Sequence, residues 1–143
     1  MLKQFLNFIK MVSIYVAFLM TFVFGISLLI VAIVKGKYAH CYIKFVIKNV
    51  MLPLAGAIYV HEIFQYLPIM SPITVKMDFK RFMFVWEPTV EVSSIRGLCG
   101  WILGFVSPFV IGILLLGMGN GIVAIPFLLV SISGIVGILE GLK

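Results

Sequence analysis

The feature that most constrains this chain is an uninterrupted run of uncharged, mostly apolar residues from Met11 to Val34. It is roughly 24 residues long, and a helix of about 20 apolar residues spans the hydrocarbon core of a bilayer. The basic stretch Met1–Lys10 precedes it, as in a secretory signal peptide, but the run exceeds the length of a signal-peptide apolar region and no small-residue cleavage site follows it. We therefore expect an uncleaved transmembrane helix.

Composition extends this expectation to the whole chain. Of its 143 residues, 63% are hydrophobic and 11% are charged, and the mean hydropathy is +1.23. A soluble domain is usually about 45–50% apolar and about 25% charged. This composition argues against a soluble globular protein, and the length predicts a single integral membrane domain over residues 1–143.

Hydropathy along the chain predicts a membrane all-α bundle of about four transmembrane helices. The expected spans cover residues 11–34, 49–67, 98–116 and 122–139. The uncharged, glycine-rich turn at 117–121 makes the last two helices antiparallel neighbours. Gly134 and Gly137 in the last helix would permit close helix approach.

The segment 73–92 differs from the rest, because it is rich in β-branched and aromatic residues that alternate imperfectly with polar ones. Such a pattern predicts two or three short strands, arranged as a hairpin or small sheet between the second and third helices, at the membrane surface. Trp86 in this segment and Trp101 in the next helix are expected to anchor the chain at the interface.

The formal net charge of +6 comes from basic residues at the ends of the apolar segments. Basic residues at these positions favour contact with lipid headgroups, and nucleic-acid binding is not expected. In the four-span arrangement the two termini and the strand-rich loop share the more basic side. The opposite side carries the connector lysines Lys35, Lys37, Lys44 and Lys48. The positive-inside rule therefore predicts a multi-pass protein of the cell membrane with both termini and the strand-rich loop in the cytoplasm.

One ionisable pair, His61 and Glu62, falls inside a predicted span. Charged groups at the centre of a membrane helix cost at least about 2.5–3.5 kcal/mol, so such residues are functional candidates. Gln65 lies one helical turn after His61 and faces the same way. The spacing is that of H-E-x-x-H, in which two histidines bind zinc and the glutamate is the general base, with glutamine at the last position.

The order of these features resembles the site-2 protease family of intramembrane zinc metalloproteases. In that family a helix bearing H-E-x-x-H is followed by a β-structured surface segment, a helix with a small-residue and proline turn, and a helix that supplies an acidic zinc ligand. Here His61–Gln65 is followed by the strand-like 73–92, by Gly104–Pro108 and by a glycine-bearing final helix. The resemblance covers roughly residue 52 to the C-terminus.

The resemblance implies a zinc site with His61 as ligand, Glu62 as catalytic base, and Gln65 and Glu140 as further ligands. The chain departs from the family pattern at two places: Gln65 replaces the second histidine, and the last helix has no aspartate, which leaves Glu140 as its acidic residue. His40 and Cys41 would reach the site only if the basic connector folded back. We therefore predict a catalytically degenerate or weakly metal-binding relative that acts on or binds membrane-associated peptides or proteins.

Other functions remain open from the sequence. His61 would have a structural role if it hydrogen-bonded across helices while Glu62 reached the interface. The protein would then be a non-enzymatic membrane accessory or immunity-type factor. Alternatively, the pair would relay protons in a small transporter subunit, for which the chain would have to oligomerise.

Overall fold

The computed structural model describes residues 2–34, 38–78 and 83–141 of the chain. The described part is mostly helical, with one two-stranded antiparallel sheet. In chain order the elements are α1 (Leu2–Val34), α2 (Ala39–Val46), a π-helical segment (Ile47–Met51), α3 (Leu52–Tyr66), β1 (Ile73–Asp78), β2 (Met83–Pro88), α4 (Ser94–Gly117) and α5 (Gly121–Gly141).

This architecture confirms the coarse prediction of a helical protein with a small sheet between the helices α3 and α4. Among the described residues, three helical stretches are long and apolar enough to cross a membrane, by length and composition: Leu2–Ile33, Ala39–Tyr66 and Ser94–Gly117. Within α5, the apolar segment Gly121–Ile135 is shorter.

The second helical stretch begins earlier than the predicted span 49–67, because residues 39–48 of the expected connector are helical as well. Pro53 explains the irregularity between the two parts. Proline has no backbone N–H, and its ring clashes with the carbonyl four residues earlier. A π turn widens the helix here, and the Leu52 N–H bonds to the Ile47 carbonyl, five residues back. The remaining connector residues, 35–37, lie outside the described part.

The packing of α1 against α3 forms the main apolar cluster, which consists of Phe8, Val12, Val16, Ile58 and Tyr66. The Phe8 ring stacks on the Tyr66 ring at a centroid distance of 4.1 Å. A polar contact also connects these helices, since the Tyr59 hydroxyl donates to Ser13 Oγ at 2.7 Å. The C-terminal part of α1 exposes large aliphatic side chains, such as Leu29 and Ile33.

The helices α3, α4 and α5 pack together through small residues on α4. Gly100, Gly104, Pro108 and Gly112 recur every four residues and are all buried. On α5, a Cβ atom added to Gly134 would lie 2.8 Å from the Cβ and 2.9 Å from the Cα of Phe105. The close approach predicted at Gly134 is therefore confirmed. The surroundings of Gly137 lie outside the described part.

The hairpin places one face on the helices. Its register pairs Ile73 with Pro88 and Val75 with Trp86. Ile73 and Trp86 pack against the apolar cluster of α1 and α3, whereas the exposed face carries the ion pair Lys76 Nζ to Glu87 Oε2 at 3.4 Å. The hairpin thus covers the C-terminal end of α3, where His61 and Glu62 are located.

The glycine contact between α4 and α5 can be tested with Gly134→Ala. The new methyl group would meet the Phe105 backbone, which cannot rotate away, and overpacking of this kind typically costs about 1–3 kcal/mol. The matched control is Gly25→Ala on α1, where an added Cβ would have nothing within 4 Å. We expect Gly134→Ala to lower the free energy of unfolding, measured by SDS titration in mixed micelles with circular dichroism, and Gly25→Ala to leave it unchanged or raise it. Equal effects would refute the close contact.

Candidate functional site

His61 lies on the face of α3 that packs against α4, and only 5% of its surface is exposed. Its Nδ1 atom is 2.8 Å from the backbone oxygen of Gly104. A carbonyl oxygen only accepts hydrogen bonds, so Nδ1 must carry the hydrogen and donate it. In the neutral ring this leaves Nε2 with a free lone pair.

The Gly104 carbonyl is available to His61 because of Pro108. In an α-helix the carbonyl of residue 104 would accept from the N–H of residue 108, but proline has no N–H. A buried carbonyl without a partner is costly, particularly in an apolar surrounding. His61 supplies the missing donor from the neighbouring helix, so a proline on α4 and a histidine on α3 are linked through one oxygen atom.

Glycines let the two backbones come close enough for this bond. A Cβ atom added to Gly100 would lie 2.6 Å from the Gln65 carbonyl oxygen, and one added to Gly104 would lie 3.3 Å from His61 Cε1. Gln65 is 6% exposed, and a Cβ atom added to Gly104 would also lie 3.2 Å from Gln65 Cβ. The four-residue spacing thus places both side chains against α4.

Glu62 points to a different neighbour, the hairpin. The indole Nε1 of Trp86 donates to Glu62 Oε2 at 2.7 Å. The Trp86 ring lies edge-on to Phe8 at 5.5 Å and to Tyr66 at 5.8 Å. The sequence suggested interfacial anchoring for Trp86 and did not predict this hydrogen bond. The signal that could have predicted it is that a packed indole N–H usually finds an acceptor.

An open cleft of about 360 Å³ adjoins these residues. Gln65 and Ile69 form the wall at the end of α3, Trp86 and residues 88–92 form the hairpin side, and Gly97 and Trp101 form the α4 side. His61 and Glu62 do not line the cleft. Each of them contacts a residue that does, since His61 neighbours Gln65 and Glu62 bonds to Trp86.

The predicted zinc ligands are only partly together. His61 and Gln65 are adjacent, but nowhere in residues 2–34, 38–78 and 83–141 do three or more His, Cys, Asp or Glu side chains form a group that could hold a metal ion. Glu140 lies at the end of α5, and its side chain is outside the described part. His40 and Cys41 are exposed on α2, near the opposite end of that helical stretch from His61. One imidazole and one neutral amide fall short of the three protein ligands of a catalytic zinc site.

Comparisons with protein-family models, with curated proteins and with solved structures found no match to this chain.

The bond between Trp86 and Glu62 can be tested by a double-mutant cycle. Trp86→Phe removes the donor and keeps an aromatic ring between Phe8 and Tyr66. A typical hydrogen bond within a protein contributes about 0.5–1.5 kcal/mol, so we expect a loss of stability of this order. In a Glu62→Leu background, which lacks the acceptor, Trp86→Phe should cost much less. Unfolding by SDS titration measures all four species.

Trp101→Phe is the matched control for this cycle, because Trp101 borders the same cleft while the indole that donates to Glu62 belongs to Trp86. Its effect should be the same with Glu62 as with Leu at position 62. A Trp86→Phe effect that is equally insensitive to position 62 would show that the bond contributes nothing to the fold.

Proposed function

We propose that this chain is an integral membrane protein that binds extended segments of membrane-associated peptides or proteins in the cleft beside its hairpin. Its scaffold is site-2 protease-like and its catalytic centre is degenerate. Both termini and the hairpin are on the cytoplasmic side of the cell membrane, according to the basic-residue distribution. Three long apolar helices support the membrane location.

The observation that carries the degenerate assignment is that both members of the predicted catalytic pair make bonds between structural elements. His61 binds the Gly104 carbonyl of α4, and Glu62 accepts from Trp86 of β2. A general base must reach the water molecule that it deprotonates, whereas Glu62 faces the hairpin indole. The pair therefore holds α4 and the hairpin around the cleft.

The chemistry of the cleft suits an extended peptide. Two indole rings, Trp86 and Trp101, offer flat apolar walls next to the amide of Gln65. No described backbone carbonyl accepts from the N–H groups of residues 90–92 on the hairpin side. Backbone N–H groups that have no partner within the protein can bond to the backbone of an extended peptide. Glu91 is the charged residue of the lining, which favours a neutral or basic peptide over an acidic one.

Peptide binding can be tested by filling the cleft. Gly97 lines it and an added Cβ would meet nothing within 4 Å, so Gly97→Leu should occupy the cleft without disturbing the fold. The probe is a fluorescein-labelled peptide of alternating lysine and aliphatic residues, measured by anisotropy in detergent. We expect Gly97→Leu to weaken binding at least about tenfold, as for loss of a central interface contact.

Gly25→Leu on α1 is the matched control, because it also adds a side chain into open space but lies away from the cleft. It should bind the peptide like the unmodified protein. A glutamate-containing peptide of the same length should bind more weakly. Undiminished binding to Gly97→Leu would contradict the proposed cleft.

The orientation of His61 favours a second candidate, a zinc site. Metal-binding histidines usually donate their other ring N–H to a carbonyl or carboxylate, which fixes the ring and presents the second nitrogen to the metal. His61 meets this condition through Gly104, so Nε2 would be its ligand atom. The resemblance would make Gln65 and Glu140 the further ligands, and a metal held there would supply an activated water. Glu62 could act as its base only after releasing the Trp86 indole.

Zinc content distinguishes the two candidates. We expect the purified protein to retain well under one equivalent of zinc by elemental analysis. Gln65→His should raise zinc affinity at least about tenfold, because even indirect partners of a metal site change affinity about 10–100-fold. The gain should disappear on adding His61→Ala and persist on adding His40→Ala. Stoichiometric zinc in the unmodified protein, lost with His61→Ala, would instead support the zinc-site candidate.

A further inference from the structure

A second groove lies on the second helical stretch, near the opposite end from His61. It has a volume of about 310 Å³ and is lined by His40, Ile43, Lys44, Ile47, Lys48 and Leu52. We call it the α2 groove. Its floor is apolar, with Ile47 38% exposed and Leu52 64% exposed, and its basic residues succeed one another every four positions along the helix.

The basic groups of the α2 groove have no acidic partner nearby in the sequence. Residues 1–61 contain no aspartate or glutamate, and Glu62 is the first acidic residue of the chain. Within the described ranges, the ion pair that is present connects Lys76 with Glu87 on the hairpin. Neither Lys44 nor Lys48 takes part in it. A positive site without a counter-charge from the protein complements an anionic ligand.

Helix length places this positive charge at one edge of the bilayer. At about 1.5 Å per residue, the stretch from Lys48 to Tyr66 covers about 28 Å, close to the hydrocarbon thickness of about 30 Å. Trp86 and Trp101 lie at the Tyr66 end, where aromatic side chains mark an interface. Lys44 and Lys48 are then level with the lipid headgroups of the opposite leaflet.

We propose that the α2 groove binds one anionic phospholipid, with the phosphate between Lys44 and Lys48 and an acyl chain against Ile43, Ile47 and Leu52. The inference rests on the proposed membrane insertion and is independent of peptide binding at the other end of the helix. Free phosphate would leave the apolar floor uncovered. A zwitterionic phospholipid would cover the floor but would bring no net negative charge to the two ammonium groups.

Native mass spectrometry of the full chain released from nanodiscs tests this site. The nanodiscs contain phosphatidylglycerol as a minor component in phosphatidylcholine. We expect the protein to retain one phosphatidylglycerol in preference to phosphatidylcholine. The double variant Lys44→Gln/Lys48→Gln should reduce this preference at least about tenfold, because each lysine near an anionic membrane surface contributes about 1 kcal/mol.

Lys3→Gln/Lys10→Gln is the matched control, since it removes the same charge from α1, outside the groove. It should keep the preference. Equal losses in the two double variants would show diffuse attraction and overturn the proposal, as would equal retention of the two lipids or displacement of phosphatidylglycerol by inorganic phosphate.

Alkaline carbonate extraction separates the two levels of the proposal. If the chain is extracted from membranes, membrane insertion fails and the lipid site fails with it. If the chain stays in the membrane but shows no preference for phosphatidylglycerol, the lipid site alone fails.

Discussion

The structure around the candidate site depends on one hydrogen bond, from His61 Nδ1 to the Gly104 carbonyl. Pro108 deprives that carbonyl of its helical donor, and an unpaired carbonyl in an apolar interior costs several kcal/mol. Hydrogen bonds between membrane helices are worth about 0.6–2 kcal/mol. The bond therefore both satisfies α4 and fixes its position against α3. Gly100 permits the close approach, because a Cβ atom there would lie 2.6 Å from the Gln65 carbonyl oxygen.

The same helix turn fixes the hairpin through a different residue. Glu62 faces away from α4 and accepts from Trp86, which is also held between Phe8 and Tyr66. Two adjacent polar residues thus bind two different elements, and the cleft lies where those elements face each other across the end of α3. A pair of residues with protease-like spacing thus supports the walls of the cleft without lining it.

The sequence predicted the helices and the hairpin, because the helices are long apolar runs whereas the hairpin alternates apolar and polar residues imperfectly. The start of the second helical stretch was not predicted, because the lysines indicated a connector up to residue 48, whereas the helix continues through the π turn. The spacing of His61 and Gln65 predicted their shared face, but not their partner on α4, 43 residues away. The sequence did contain a signal for this partner: Pro108 follows Gly104 by four residues, which leaves the Gly104 carbonyl in need of a donor.

The partner of Glu62 could not be inferred, because hairpin docking depends on tertiary packing. Whether His61 binds zinc stays a prediction.

The most direct test of this account is the tautomer of His61 and its partner across the helices. Solid-state NMR on the chain in lipid bilayers, with ¹⁵N-histidine and ¹³C-carbonyl glycine labels, reports both, and a His40→Gln background removes the other histidine. We expect a neutral ring with hydrogen on Nδ1, a bare Nε2, and a dipolar contact between Nδ1 and the Gly104 carbonyl carbon that disappears in Gly104→Ala, where alanine carries no label. A ring with hydrogen on Nε2, or no contact with Gly104, would contradict the account.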